Sequence, residues 1–414
     1  MQFITLIVYT SIYIGLVTTT FYILTFLADI KKEREFFTDN ELPKVSVIIP
    51  AYNEEKTIQL TIDSILKSDY PKNKLDILVV DDGSSDKTYE KALKYKDKGV
   101  RIFKQEVNGG KGKALNRGIK ESKGDFIFTM DADTTVDKKS LKIMTRYFKN
   151  PEVVSVTPAM VTRETKTIMQ RVQSVEYLTG LFLRKTFAAL NAIHITPGAF
   201  SAYRKSFFEK HGGYDEDNIT EDLEIALRIQ YHKYKIENAP EAPAYTIPPA
   251  DFNSLLKQRR RWYAGLIKNT WNYKKLFGKE YGDMGIFVLP ISWIGIFFAV
   301  FLTIYYTVEI TNNLISEALF YSSINFDIFN QIEFNTYLFE RIFFQIFTTA
   351  AIWFILIFLI MIFFYLRYAT KKIGKTESLY LNVLLFMALF AVLFGIWWVV
   401  SIIYVVFNRK VSWK

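Results

Sequence analysis

The 414-residue chain contains no cysteine, which removes disulfides, a thiolate nucleophile and cysteine-ligated zinc from consideration. Histidine is nearly as scarce. His194, His211 and His232 are the only three, too few to favour a histidine-built metal site or a serine–histidine triad. Charge is absent from whole stretches. Residues 3–28 hold no Asp, Glu, Lys or Arg, and about 20 apolar residues suffice to cross the hydrocarbon core of a bilayer. The same stretch lacks the basic start and the Ala-x-Ala ending of a cleaved signal, so residues 1–30 are expected to form an uncleaved membrane anchor. No internal repeat or low-complexity tract interrupts the chain.

What charge there is gathers between Lys31 and Lys279, giving a soluble-like segment at 31–280 between membrane-like ends at 1–30 and 281–414. The net charge of +10 raises the question of nucleic acid. Basic runs such as Lys31-Lys32 and Lys371-Lys372 instead abut apolar segments, where cations mark the cytoplasmic side and meet anionic lipid. The expected partner is therefore a bilayer and not nucleic acid. Three further apolar runs lie at about 284–308, 343–366 and 379–407. Between the first two stand Glu309, Glu317, Asp327, Glu333 and Glu340 with Arg341; between the last two stand Arg367, Lys371, Lys372 and Lys375. That asymmetry places the acidic loop outside and the basic loop inside. Three crossings would leave the C-terminus outside, against Arg409, Lys410 and Lys414, and the parity stays open.

The middle reads as alternating strands and helices. Short apolar runs at 45–50, 76–80 and 125–130 suit buried parallel strands. Ile58, Ile62, Ile65 and Leu66 form one helical stripe between the first two, and Gly83-Ser84-Ser85-Asp86 supplies a turn and cap for a helix through Lys94. A βαβαβ order implies right-handed crossovers, an open parallel sheet and ligands outside the carboxyl ends of the strands. At 167–190, Met169, Val172, Val175, Leu178, Leu181 and Phe182 form an apolar stripe flanked by Arg171, Arg184 and Lys185. Such a helix lies on a membrane surface or packs on the sheet, and both readings stand.

Five constellations cluster where ligands are expected. Asp81 and Asp82 end the second strand, either as part of a turn or as acceptors for a ribose or base N–H. The run 108–116, Asn-Gly-Gly-Lys-Gly-Lys-Ala-Leu-Asn, fails as a P-loop because Val107 and Ala114 occupy the first glycine and hydroxyl positions. Its glycines still permit close backbone approach at a helix start, and Lys111 and Lys113 can neutralise a diphosphate. Asp131 and Asp133 follow the third strand as an i, i+2 pair able to share Mg²⁺ or Mn²⁺ with phosphate oxygens. Thr220-Glu221-Asp222 opens a helix, with Thr220 as a candidate cap and one carboxylate as a candidate general base. In Gln258-Arg259-Arg260-Arg261-Trp262, helical phase puts Gln258 with Arg261 or Trp262, a set that suits a sugar acceptor and a diphosphate as well as a basic interfacial helix.

In this order, residues 45–262 resemble the inverting family 2 glycosyltransferases, and more narrowly the processive membrane synthases of cellulose, chitin, hyaluronan and poly-N-acetylglucosamine. The resemblance implies an α/β GT-A fold, Rossmann-like with a mostly parallel sheet, in a cytoplasmic domain flanked by transmembrane and interfacial α-helices, the latter near 167–190 and 254–275. It assigns Asp81 and Asp82 to the nucleoside of a UDP-sugar, and Asp131, Asp133 and Arg261 to the diphosphate, the two aspartates also holding Mg²⁺ or Mn²⁺; Lys111 and Lys113 keep the donor-binding role read from their own run. Asp222, next to Glu221, becomes the base, while Gln258, Trp262, Gly198 and Phe200 face a polysaccharide acceptor. The loop 194–201 lacks the family's usual cysteine or second aromatic, which leaves the acceptor's identity open. The implied product is a β-linked polymer, most similar to poly-N-acetylglucosamine, made at the cell membrane, with room for a small membrane partner subunit. A transferase that loads one sugar onto a polyprenyl phosphate has no need of Gln-x-x-Arg-Trp, and a non-catalytic binding subunit has no need of every carboxylate.

Overall fold

The computed structural model describes residues 2–30, 35–324, 350–373 and 379–407, with 340, 343 and 409. Lys31, Lys32, Arg34, Asp327, Glu333, Arg341, Lys375, Lys410 and Lys414 lie outside the described residues, as does part of the apolar run at 343–366. In chain order, α1 (Gln2–Ile30) precedes β1 (Val45–Ala51), α2 (Ile58–Leu66), β2 (Leu75–Asp81), α3 (Thr88–Leu93), β3 (Val100–Lys104), α4 (Lys111–Glu121) and β4 (Phe126–Met130). There follow β5 (Thr135–Val136), α5 (Ser140–Arg146), β6 (Val153–Thr162), α6 (Ile168–Ala189), β7 (Phe200–Arg204), α7 (Lys205–His211), α8 (Glu221–Tyr231), β8 (Lys235–Thr246) and α9 (Phe252–Asn272). The chain then enters α10 (Leu289–Ser323) through a π-helical turn at Met284–Val288, and continues with α11 (Ala350–Ile373) and α12 (Leu379–Val406).

The strands form one eight-stranded sheet in the order β3-β2-β1-β4-β7-β6-β8-β5. The first four are mutually parallel, β7 is antiparallel to both β4 and β6, and β8 returns parallel to β6. Side chains alternate across it. Val47, Ile49, Val79 and Phe128 enter one apolar cluster, while Ile48, Leu78, Val80 and Ile127 enter another on the opposite face. This is why β1 reads as an apolar run interrupted only by Ser46, whose hydroxyl donates to Asp76: each apolar burial contributes about 1.5–3 kcal/mol, and both faces need it. Because β7 runs against β4, its first residue pairs with the last of β4, Met130 with Phe200. The carboxyl ends of β1, β2 and β4 therefore share one sheet edge with the start of β7.

The helix at 167–190 is packed, not laid free on a surface. A capping box fixes its start: Thr167 accepts from the Gln170 N–H, and the Gln170 side chain returns the bond. Val175, Leu178 and Leu181 meet Ala159 of β6 and Ile362, Leu366 and Ala369 of α11. Phe182 stacks on Tyr365 and meets Phe26 of α1. Two of the flanking cations are bonded as well. Lys185 pairs with Asp29 at 3.3 Å, both nearly buried, and Arg171 donates to Asn382 of α12. So α6 is the layer between sheet and membrane helices.

Among the described residues, three helices are long and apolar enough to cross a membrane, covering Phe3–Asp29, Met284–Ser323 and Leu379–Val406. They make this a membrane protein. The second exceeds the run expected at 284–308, continuing through Glu309 and Glu317 because exposed acids do not break a helix.

Candidate active site

The shared sheet edge gathers most of the expected residues. Asp131 follows β4, and its N–H donates to the Ala199 carbonyl at 3.0 Å, tying it to the strand entering from the other direction. Thr61 of α2 donates its hydroxyl to the carbonyls of Ala132 and Thr134, 2.8 Å each, which holds the following turn. The Asp131 side chain is about a third exposed. Asp133 is driven up to about 6 by burial and by the neighbouring Asp131 and Glu54.

Lys111 opens α4 directly after Gly110, whose φ of +89° suits glycine. Its Nζ lies 2.6 Å from Asp131 Oδ1 and 3.0 Å from Glu221 Oε1. Burial alone would lower the Lys111 ammonium, but Asp131, Glu221 and Asp222 outweigh it and raise it above the ordinary lysine range. Glu221, 2% exposed, is pushed up by burial and by Asp222, with Lys111 opposing. Lys113, which follows on the same helix, lies within electrostatic reach of Asp82.

Asp222 sits at the start of α8 with both oxygens engaged. Oδ2 accepts from the Gly198 N–H at 3.0 Å and Oδ1 from the Leu223 N–H at 2.9 Å. Gly198 leaves no room for a side chain: an added Cβ would lie 2.7 Å from Lys111 Nζ and 3.1 Å from Asp222 Oδ2. Thr220 does not cap α8. Its hydroxyl is drawn instead into a buried cluster with Asn218 and Asn269, which locks α8 to α9.

Helix α9 completes the edge. Arg261 faces Asp222, Glu221 and Asp131; burial lowers its guanidinium and those three carboxylates oppose the shift. Among the described residues, the buried carbonyl oxygen of Gln258 has no hydrogen-bond partner. Arg259 has turned away, making two bonds to Glu176 of α6 at 2.6 and 2.8 Å and stacking 4.5 Å from the Trp262 ring centre. The spacing between Gln258 and Arg261 distinguishes these arginines; nothing in the sequence marks Glu176.

Two expected roles look different in the fold. Asp82 accepts from the N–H groups of Gly109 and Gly110 and from Gln105 Nε2, all at 2.9 Å, so it holds the glycine loop. Burial raises its carboxyl even against those bonds. Asp81, fully buried, accepts from the Ser84 N–H through Oδ2, and among the described residues its Oδ1 has no partner. The ring of Phe200, 0% exposed, packs on Phe128 in the core, because the residue after Ala199 alternates inward as β7 begins. It has no face toward an acceptor.

For a divalent cation, the donor set is two carboxylates of hard oxygen character at Asp131 and Asp133. Among the described residues, no three His, Asp or Glu side chains converge to hold one. The pair fits an ion such as Mg²⁺ or Mn²⁺ that takes further oxygens from a substrate.

Residues 46–212 match the glycosyl transferase family 2 model. A poly-β-1,6-N-acetyl-D-glucosamine synthase of Staphylococcus epidermidis is 30% identical over 312 residues, 71% of this chain and 74% of that protein. The synthase of Staphylococcus aureus strain COL is 34% identical over 230 residues, 55% of each chain. Among solved structures, the mannosyltransferase PcManGT of Pyrobaculum calidifontis, in complex with GDP-Man and Mn²⁺, shares the fold with a TM-score of 0.58 at 17% identity, over 97% of this chain and all of that one. The chain is a GT-A glycosyltransferase and belongs to glycosyltransferase family 2.

Proposed function

We propose that the chain transfers N-acetylglucosamine from a UDP-sugar to a growing β-linked polysaccharide with inversion at the anomeric carbon, at the cytoplasmic face of the cell membrane. One observation carries this: Asp131, Lys111, Glu221, Asp222 and Arg261 converge at one sheet edge, beside the Gln258–Trp262 face of α9. The relatives named as poly-β-1,6-N-acetyl-D-glucosamine synthases support the sugar, and Mn²⁺ in the mannosyltransferase neighbour supports a divalent ion. The catalytic unit is residues 31–280, with 1–30 and 281–414 in the membrane and a small membrane subunit as an accessory.

In this reading, Asp81 Oδ1 accepts from the nucleoside, and the glycine loop held by Asp82 sets the backbone beside the diphosphate. Asp131 and Asp133 would hold a divalent ion, which would supply Lewis-acid stabilisation of the leaving diphosphate. Lys111, Lys113 and Arg261 add positive charge there. Gln258 and Trp262 position the acceptor sugar, and Gly198 lets its hydroxyl approach. Asp222, fixed by two backbone N–H groups, removes that hydroxyl's proton as the oxygen attacks the anomeric carbon.

The test is detergent-purified protein with Mn²⁺ or Mg²⁺ and a panel of UDP-sugars, following UDP release and product size. A high-molecular-mass product from UDP-N-acetylglucosamine alone is expected. A chloroform-soluble single-sugar product would replace the reading with transfer to a polyprenyl phosphate.

A further inference from the structure

The Lys111 ammonium occupies ground that a metal ion would need. It lies 2.6 Å from Asp131 Oδ1 and 3.0 Å from Glu221 Oε1, bridging a residue of the metal pair to the neighbour of the candidate base. Its side chain is 16% exposed, and Glu221's is 3%. Gly198 closes over it without a Cβ, so the chain makes room for the ammonium here. Asp131 and Asp133 have no third acid or histidine converging with them among the described residues. A dication would therefore find only two protein carboxylates, one of them already bonded to a cation. Ammonium and dication cannot share one oxygen without strong repulsion at these distances.

We propose that Lys111 is a built-in counter-ion that keeps a divalent cation off Asp131 until a nucleoside diphosphate draws the ammonium away, making metal and nucleotide uptake mutually dependent. The inference rests on the donor and metal reading above. The diphosphate competes for Lys111 because it arrives at the N-terminus of α4, where the lysine stem is rooted and helix N–H groups favour an anion. Once the ammonium turns to phosphate, Asp131 is released to the metal, and phosphate oxygens complete the coordination. The exchange runs backwards when the nucleotide leaves. Lys111 then returns to Asp131 and Glu221, so Asp131 has a cation beside it both with and without nucleotide. Linkage requires the effect to be reciprocal: the metal tightens the nucleotide by the factor by which the nucleotide tightens the metal.

The test uses the full-length protein in detergent and reads free Mn²⁺ by its electron paramagnetic resonance signal, with and without UDP, in wild type and Lys111→Gln. UDP should tighten Mn²⁺ by about tenfold or more in wild type, within the usual range of coupling between sites. Lys111→Gln should bind Mn²⁺ without UDP about tenfold more tightly than wild type, and UDP should add less. Lys111→Met, closer in shape, serves if the glutamine variant does not fold. Equal Mn²⁺ affinity in wild type and variant without UDP overturns the role of Lys111 and leaves the donor reading standing. Wild type binding Mn²⁺ equally with and without UDP overturns the coupling whatever the variants do. Failure of all proteins to take up Mn²⁺ even with UDP overturns both.

Discussion

Asp222 is held from two sides, by Gly198 N–H on one oxygen and Leu223 N–H on the other, so its carboxylate has a fixed direction before any substrate arrives. A general base contributes roughly 10²–10⁴-fold. Asp222→Asn keeps the shape and loses the basicity. Transfer should fall by about that factor while UDP binding by calorimetry persists; transfer at the wild-type rate would remove Asp222 from the base role. Gly198→Ala probes the same carboxylate from its support. The new methyl would sit 2.7 Å from Lys111 Nζ and 3.1 Å from Asp222 Oδ2, so both side chains must shift. Misplacement of about 1 Å can cost on the order of 10²-fold in rate. We expect kcat to drop by about that much with little change in melting temperature, since the crowded atoms are ends of side chains. A large loss of stability with unchanged kcat would show that the glycine serves the fold alone.

At the scale of elements, α6 and α9 are joined by a charge pair whose arginine is buried and whose glutamate is partly exposed. Arg259 is 2% exposed, bonded twice to Glu176 and stacked between Trp262 and Trp397. Removing one partner strands the other, at a cost of about 3–5 kcal/mol for a buried pair. Glu176→Ala should lower the melting temperature in detergent markedly, and a neutral pair such as Glu176→Gln with Arg259→Met should recover much of it. Additive losses in the double variant would argue that the two side chains act independently. This pair also shows where reading the sequence stops. The strands at 45–50, 76–80 and 125–130 were legible because burial on both faces leaves short, mostly apolar runs, and they appear as β1, β2 and β4 within a residue or so. Helical phase separated Arg261 from Arg259. By contrast, β7 is antiparallel because of partners 46 to 78 residues away in β6 and β4, and its short run Phe-Ser-Ala-Tyr-Arg carries no sign of direction. The fate of Thr220, Asp82 and Phe200 depended on Asn218, on the glycine loop and on Phe128, contacts that no local pattern announces.

For the whole molecule, the question is how the apolar helices and the sheet share a bilayer. The helical stretch Met284–Ser323 spans 40 residues, or about 60 Å at 1.5 Å per residue, whereas the hydrocarbon core is about 30 Å thick. Its end must therefore project beyond one face, carrying Glu309 and Glu317, while the sheet joins its other end through α9. The proposed orientation sets the sheet on the cytoplasmic side, the side that Lys371 and Lys372 in the last turn of α11 would mark. A chain without cysteine makes this easy to examine, because each introduced thiol is the only one present. Lys67, just after α2, and Glu317 are both exposed. Lys67→Cys should react with a membrane-impermeant maleimide only after the cells are opened, and Glu317→Cys should react in intact cells. Labelling of position 67 in intact cells would invert the orientation and move the sugar donor to the outer face, where nucleotide sugars would have to be exported to reach it. Protection of both positions until lysis would place the projecting end of α10 inside as well, so that Met284–Ser323 would not cross the bilayer.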